Sequence, residues 1–211
     1  MPLRFYLRFE KLLLIAALSL FFLAGYLGIA LATSHMPARA LDTSLDRAIP
    51  YVPAVWPIYQ SVYLLVLLPS RLYARPSEMR AGAAANLACM TAAYACFLLF
   101  PVRILPPPQD ASAALGAGSL ATRFALFFDD RGMNCFPSLH LAMATLAALC
   151  CARAGRRPGA LGWTLTGLIA ASSLLMKRHY LVDLPAGAAL GAACYALFLR
   201  GRLAAPEARP R

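Results

Sequence analysis

Six stretches of the chain run without a single Asp, Glu, Lys or Arg: residues 12–32, 51–70, 81–100, 136–152, 159–176 and 184–199. A helix needs about 20 apolar residues to cross a bilayer, with a range of about 17–25. Five of the stretches reach that length, and the last extends backwards if its helix starts near Tyr180. The first begins on basic residues and ends in Ala30-Leu31-Ala32, as a cleaved leader would. Its uncharged core is longer than the roughly 7–15 residues of a leader, so it reads as a span. The expectation is an all-α integral membrane protein, a bundle of six transmembrane helices. Of the 211 residues, 61% are hydrophobic and 14% charged, against about 45–50% and 25% in soluble domains. That leaves one membrane domain over residues 1–211 and no room for a disordered or nucleic-acid-binding tail.

The net charge of +11 comes from 18 Arg and 2 Lys against 9 acidic residues. Placed on six spans, thirteen of the basic residues fall on one side, among them Arg4, Arg8, Lys11, Arg71, Arg75, Arg80, Arg153, Arg156 and Arg157. Seven fall on the other: Arg39, Arg47, Arg103, Arg123, Arg131, Lys177 and Arg178. Cytoplasmic loops carry the excess of Lys and Arg, so both termini are expected in the cytoplasm. The excess charge then reports topology more than an anionic partner. The six Cys show no paired spacing; five lie in apolar stretches, where Cys behaves as a small hydrophobe, and Cys135 alone sits in a loop.

Of the outer loops, the long one carries the breaker Pro106-Pro107-Pro108. After it, Ser119 is positioned to cap a short interfacial helix with Leu120, Phe124, Phe127 and Phe128 on one face. Asp129 and Asp130 read as a solvated pair or as contacts to an acceptor headgroup.

His140 is the one Asp, Glu, Lys, Arg or His inside the six stretches. Such a residue in a membrane marks a functional site by default. It stands in Asn134-Cys135-Phe136-Pro137-Ser138-Leu139-His140, where the fourth span enters from the outer side. Pro137 suits a first helical turn, where its missing N–H is not needed. The free N–H groups and dipole of such an end favour an anion such as phosphate, and Ser138 adds a hydroxyl. A second cluster, Lys177-Arg178-His179-Tyr180-Leu181-Val182-Asp183, leads into the sixth span from the same side. On a helix, His179 and Asp183 would share a face, and a carboxylate on one ring nitrogen makes the other a better base or nucleophile. Pro185 demands either that Asp183 lie near the helix start or that the helix bend there. Because the chain crosses and returns between the clusters, both His lie at one membrane depth, with Arg103 at the same face. Two His, an Asp and several cations at a helix N-terminus form a phosphoryl-transfer constellation. A zinc site on His140, His179 and Asp183 is the alternative use of those ligands.

Phe136-Pro137-Ser138-Leu139-His140 followed by His179-Tyr180-Leu181-Val182-Asp183 resembles the type 2 phosphatidic acid phosphatase (PAP2) superfamily. The Ser-Leu-His form and the His-Tyr pair resemble its inositol-phosphorylceramide-synthase-like branch, as does the segment 46–53 before the second span. The resemblance covers about residues 40–195. It implies a six-helix membrane bundle and chemistry that needs no cofactor or metal. It also implies that His179 is the nucleophile that becomes phosphohistidine, oriented by Asp183. His140 would protonate the leaving alcohol and then activate the incoming water or alcohol, while Arg103 and Ser138 hold phosphate oxygens. The sequence departs from the family pattern in three places. Cys96 stands where the family has Lys, and Ile104 follows Arg103 in place of Pro. Ser172 matches the family's Ser but is followed by Ser173 in place of Arg. Lys177 or Arg178 is expected to compensate as a phosphate-binding cation.

The functions in contention are a lipid phosphatase, a phosphotransferase that moves a phosphorylated headgroup to a lipid alcohol, and a non-catalytic bundle or transporter. A transporter more often shows broken spans in paired positions. The expected partners are a membrane lipid and the bilayer, with no nucleic acid. The expected location is a bacterial inner membrane with the site facing the periplasm. Gly187 and Gly191 in the sixth span form a small-xxx-small pair for close packing, within the bundle or between chains.

Overall fold

The computed structural model describes residues 3–73, 75–104 and 132–202. The proline breaker, the helix expected after Ser119 and the pair Asp129 and Asp130 lie outside them. Among the described residues the chain is helical, with one isolated bridge between Arg39 and Val102. The long helices are α1 (Leu3–Thr33), α6 (Pro76–Leu99), α7 (Leu139–Ala154), α8 (Arg156–Leu175) and α9 (Asp183–Phe198). Between α1 and α6 come the short helices α2 (Ser44–Ala48), α3 (Trp56–Gln60), α4 (Val62–Leu67) and α5 (Pro69–Leu72).

Among the described residues, three helical stretches are long and apolar enough to cross a membrane: Arg8–Thr33, Pro76–Leu99 and Arg156–Leu175. α7 and α9 are apolar helices of 16 residues. The second expected span is segmented. Pro57 and Pro69 donate no backbone N–H, and Ser61 turns its hydroxyl onto the Ile58 carbonyl at 2.6 Å. Each substitutes a tighter turn for the i→i−4 ladder, so α3, α4 and α5 follow one another through Ser61 and Leu68, both still in helical backbone.

The core forms where α7 is covered from several sides. Met90, Ala93 and Phe97 of α6 pack with Leu139 and Ala142 of α7 and with Cys194 of α9. Val62 and Leu65 of α4 meet Ala144 and Ala147 of α7 and Ile169 of α8. Thr166 of α8 satisfies its buried hydroxyl on the carbonyls of Gly162 (2.8 Å) and Ala144 (3.2 Å). The glycine pair serves packing within the bundle: a Cβ on Gly187 would collide with the Ser138 carbonyl, and one on Gly191 with the Ala142 carbonyl. Removing both side chains lets the α9 backbone lie directly on the start of α7. At the end opposite the two His, Lys11 of α1 donates to the Ser70 carbonyl at 2.6 Å, and Arg80 pairs with Glu10 at 2.5 Å.

Candidate active site

α7 begins at Leu139, with Ser138 as N-cap; the Ser138 hydroxyl accepts the Leu141 N–H at 3.2 Å. Pro137 therefore lies one residue before the cap and outside the first turn. The Ser138 side chain is fully buried and engaged in capping. Its N–H donates to the Asp183 carbonyl at 3.2 Å, which joins the starts of α7 and α9.

Asp183 is the first residue of α9, so Pro185 falls in the first turn, where its missing N–H costs nothing. His179 lies outside the helix, in the turn before it. The expected pair still forms, but a folded turn makes it and not a helical face: Asp183 N–H reaches the Tyr180 carbonyl (3.0 Å) while Tyr180 N–H reaches Asp183 Oδ2 (2.7 Å). That brings Oδ2 to 3.3 Å from His179 Nδ1. The same nitrogen lies 3.0 Å from the Cys135 carbonyl oxygen. A carbonyl only accepts, so Nδ1 carries the proton of the neutral ring and Nε2 keeps the lone pair. The Cys135 thiol donates to Asp183 Oδ2 at 2.9 Å. His179, Asp183 and Cys135 are 6%, 0% and 2% exposed, so this network is closed to water.

His140 sits in the first turn of α7, with its ring 5.9 Å from that of His179 between centroids and inclined by 61°. Tyr59 of α3 stacks on His140 at 4.3 Å, and its hydroxyl lies 3.3 Å from Nδ1. His140 Nε2 is buried and has no hydrogen-bond partner among the described residues. The topology thus brings together the two His and the Asp that the sequence singled out.

The cations are arranged differently from expectation. Arg103 is exposed, and its guanidinium donates to the Ser34 carbonyl (3.0 Å) and to Met133 Sδ (3.4 Å). Its backbone carbonyl faces the site and accepts the Tyr180 hydroxyl at 2.9 Å. Lys177 stands in left-handed backbone (φ 51°) and donates to the Asp46 carbonyl at 2.5 Å. Arg178 is close enough to His140 for their charges to interact. Ser172 and Ser173 turn their hydroxyls onto the Ile169 and Ala170 carbonyls of their own helix.

Three residues join the site that pattern reading left aside. Cys135 is one, and its only signal was a Cys outside the apolar stretches. Tyr59 is another, an aromatic in an apolar run. The third is Asp46, inside the segment whose likeness to the family had been noted. Asp46 Oδ1 accepts the Leu181 N–H at 2.7 Å, and Oδ2 accepts the N–H and hydroxyl of Thr43 at 2.9 and 2.6 Å in a capping box on α2. Burial opposes its charge, but the bonds from the Thr43 hydroxyl, the Leu181 N–H and the Thr43 N–H, with Lys177 nearby, hold the carboxyl below its ordinary range. Lys177 and Leu181 stand two residues before and after His179, so Asp46 of α2 grips the His179 turn on both sides.

Cys135 Sγ, His179 Nδ1 and the Asp183 carboxylate lie within 4.8 Å of one another, a set that could hold a metal ion. His140, which the alternative zinc reading grouped with His179 and Asp183, turns Nδ1 to Tyr59.

A buried His–Asp pair thus faces a second His at the start of an apolar helix, in a helical protein with candidate membrane spans. The PAP2 superfamily profile matches residues 42–197, and the chain belongs to that superfamily. Its members are in general phosphoester-hydrolysing enzymes, and membership points to phosphatase or phosphotransferase activity. No curated protein or solved structure gives a significant match.

Proposed function

We propose that the protein is a membrane lipid phosphatase or phosphotransferase that works through a phosphohistidine. The carrying observation is His179 with Nδ1 committed to Asp183 and the Cys135 carbonyl, opposite His140 at 5.9 Å. In the first half-reaction His179 Nε2 attacks phosphorus. The P–N bond forms, the P–O bond to the lipid alcohol breaks, and His140 gives its proton to the departing oxygen. In the second, the oxygen of water or of another alcohol attacks phosphorus, its proton passes to His140, and the P–N bond breaks. Asp183 orients His179 and stabilises the positive charge that develops on the ring. The N-terminal N–H groups of α7, with Arg178, neutralise the transferring group; Arg103 and Lys177 border it, and Ser138 orders the turn.

Charge asymmetry supports both termini in the cytoplasm and a periplasmic site in a bacterial inner membrane. Headgroup transfer in the manner of the inositol-phosphorylceramide-synthase-like branch is the second reading. The family cations replaced by Cys96 and Ser173 favour it, since a phosphodiester carries less charge than a monoester. The test is purified protein on a panel of lipid phosphates and phosphodiesters, scored for phosphate release against headgroup transfer, with and without a chelator. Radiolabel from the headgroup should appear on wild-type protein as an acid-labile, base-stable adduct and be missing in His179→Ala. Full activity in His179→Ala refutes the mechanism, and loss on chelation moves the assignment to a metal on Cys135, His179 and Asp183.

A further inference from the structure

A cavity of about 350 Å³ runs between α1, the α4–α5 segment, α6 and α7. His140 lines one end and Lys11 the other. Leu14, Leu18 and Phe22 of α1 face Val66 of α4 and Met143 of α7 across it. Three of the polar groups in this wall are turned onto backbone: Lys11 Nζ on the Ser70 carbonyl, Ser70 Oγ on the Leu67 carbonyl, Asn86 Nδ2 on the Gly82 carbonyl. What they present to the cavity is hydrocarbon. At the other end, His140 Nε2 is buried with no partner among the described residues.

The dimensions are specific. From Phe22 to Lys11 the α1 axis covers about 16 Å, close to half of a hydrocarbon core about 30 Å thick. A volume of about 350 Å³ drawn out over that length makes the cavity a slot and not a rounded chamber. On the phosphoryl-transfer reading of His140 and His179, on which this rests, we infer that the cavity receives one hydrocarbon chain of the lipid substrate and gauges its length. The Lys11–Ser70 contact is the floor. A second chain of the same lipid stays in the bilayer. Ala83 of α6 also lines the cavity. It stands seven residues before Met90, which packs level with Leu139, so it lies about 10 Å below the His end.

The experiment uses the full-length protein in mixed micelles, with single-chain alkyl phosphates and phosphodiesters of octyl, dodecyl and octadecyl length at equal surface concentration. Wild type should turn over dodecyl at least as well as octyl and discriminate against octadecyl. Ala83→Trp should lower kcat/KM for dodecyl at least about tenfold and leave octyl near the wild-type value, with Ala83→Leu intermediate; the Leu variant decides if the Trp variant does not fold. Equal loss for both chain lengths, or no loss for either, overturns the proposal. A dodecyl phosphate with a photoreactive chain terminus gives a readout independent of turnover. Labelling of Leu14 or Ile15 is expected. Labelling confined to Leu13 and Leu20, on the exposed face of α1, overturns the cavity even in an active enzyme. Failure of every substrate to turn over, with correct labelling, strikes the phosphoryl-transfer reading and spares the binding site.

Discussion

Replacing Asp46 by Ala should slow the enzyme from outside its catalytic residues. The substitution deletes the acceptor of the Leu181 N–H and of both Thr43 donors, while the carbonyl that holds Lys177 remains. A hydrogen bond to a charged group contributes about 1.5–3 kcal/mol, and a helix cap about 1 kcal/mol. The cap term falls on α2 and on global stability, whereas the Leu181 bond falls on the turn that presents His179. Losing about 2 kcal/mol there shifts the ratio of ordered to displaced turn by about 30-fold. The expected result is a 10- to 30-fold lower kcat with KM changed much less, since His140, Arg178 and the cavity are untouched. Asp46→Asn keeps an oxygen acceptor without the charge and should fall between. The assay is steady-state turnover on a fixed lipid substrate, paired with thermal denaturation in the same detergent. A drop in melting temperature with kcat intact would refute the clamp and reduce Asp46 to a helix cap.

The acid limb gives a second reading of the same residue. Asp46 has a depressed folded pKa, so its stabilisation is complete above the ordinary carboxyl value of 3.8 and is lost as the pH falls through the lower folded value. Wild type should hold the turn down to about pH 4 and then loosen, while Asp46→Asn shows no such step.

Three further outcomes follow from the packing. Gly191→Ala should destabilise the bundle by about 1–3 kcal/mol because its Cβ meets the Ala142 backbone, whereas Gly167→Ala, with open space around it, should gain up to about 1 kcal/mol of helix propensity; thermal melts separate them. Cys135→Ala leaves Asp183 one donor short and should lower kcat more than Cys135→Ser, which restores an O–H, and equal rates would remove the thiol from the network. Arg178→Ala should cost about a hundredfold or more in kcat/KM, the scale of losing one transition-state donor, while Lys177→Ala should copy the milder Asp46 phenotype. Unchanged turnover in the double variant would take both cations out of the site.

The apolar stretches and the two His clusters were legible because both are local patterns. Span length is a run of composition, and the meeting of His140 with His179 follows from counting crossings. The breaks of the second span were written in Pro57, Ser61 and Pro69, but their effect depends on whether neighbours support a helix across them. Tyr59 and His140 are 81 residues apart, and Asp46 and Leu181 are 135 apart. No periodicity encodes such pairs, since tertiary packing alone chooses them. The turn at His179 shows the limit most clearly. The four-residue spacing to Asp183 suits a helical face, and Pro185 allows a helix that starts at Asp183. The helix does start there, and the contact forms through a non-helical turn because the Asp183 carboxylate captures the Tyr180 N–H.

The cations carry the last step of the argument. The sequence places Arg103 as a phosphate ligand beside the two His, with Lys177 or Arg178 as the compensating cation. In the fold, the guanidinium of Arg103 is on the Ser34 carbonyl and the ammonium of Lys177 on the Asp46 carbonyl. Each trades phosphate charge for loop geometry. Among the described residues, Arg178 lies close enough to His140 for their charges to interact, and the N-terminus of α7 adds about half a charge. A monoanionic diester calls for less compensating charge than a dianionic monoester does. The replacements at Cys96 and Ser173 are therefore easier to reconcile with the proposed headgroup transfer, in which a diester would be the substrate and a second lipid alcohol would receive the group.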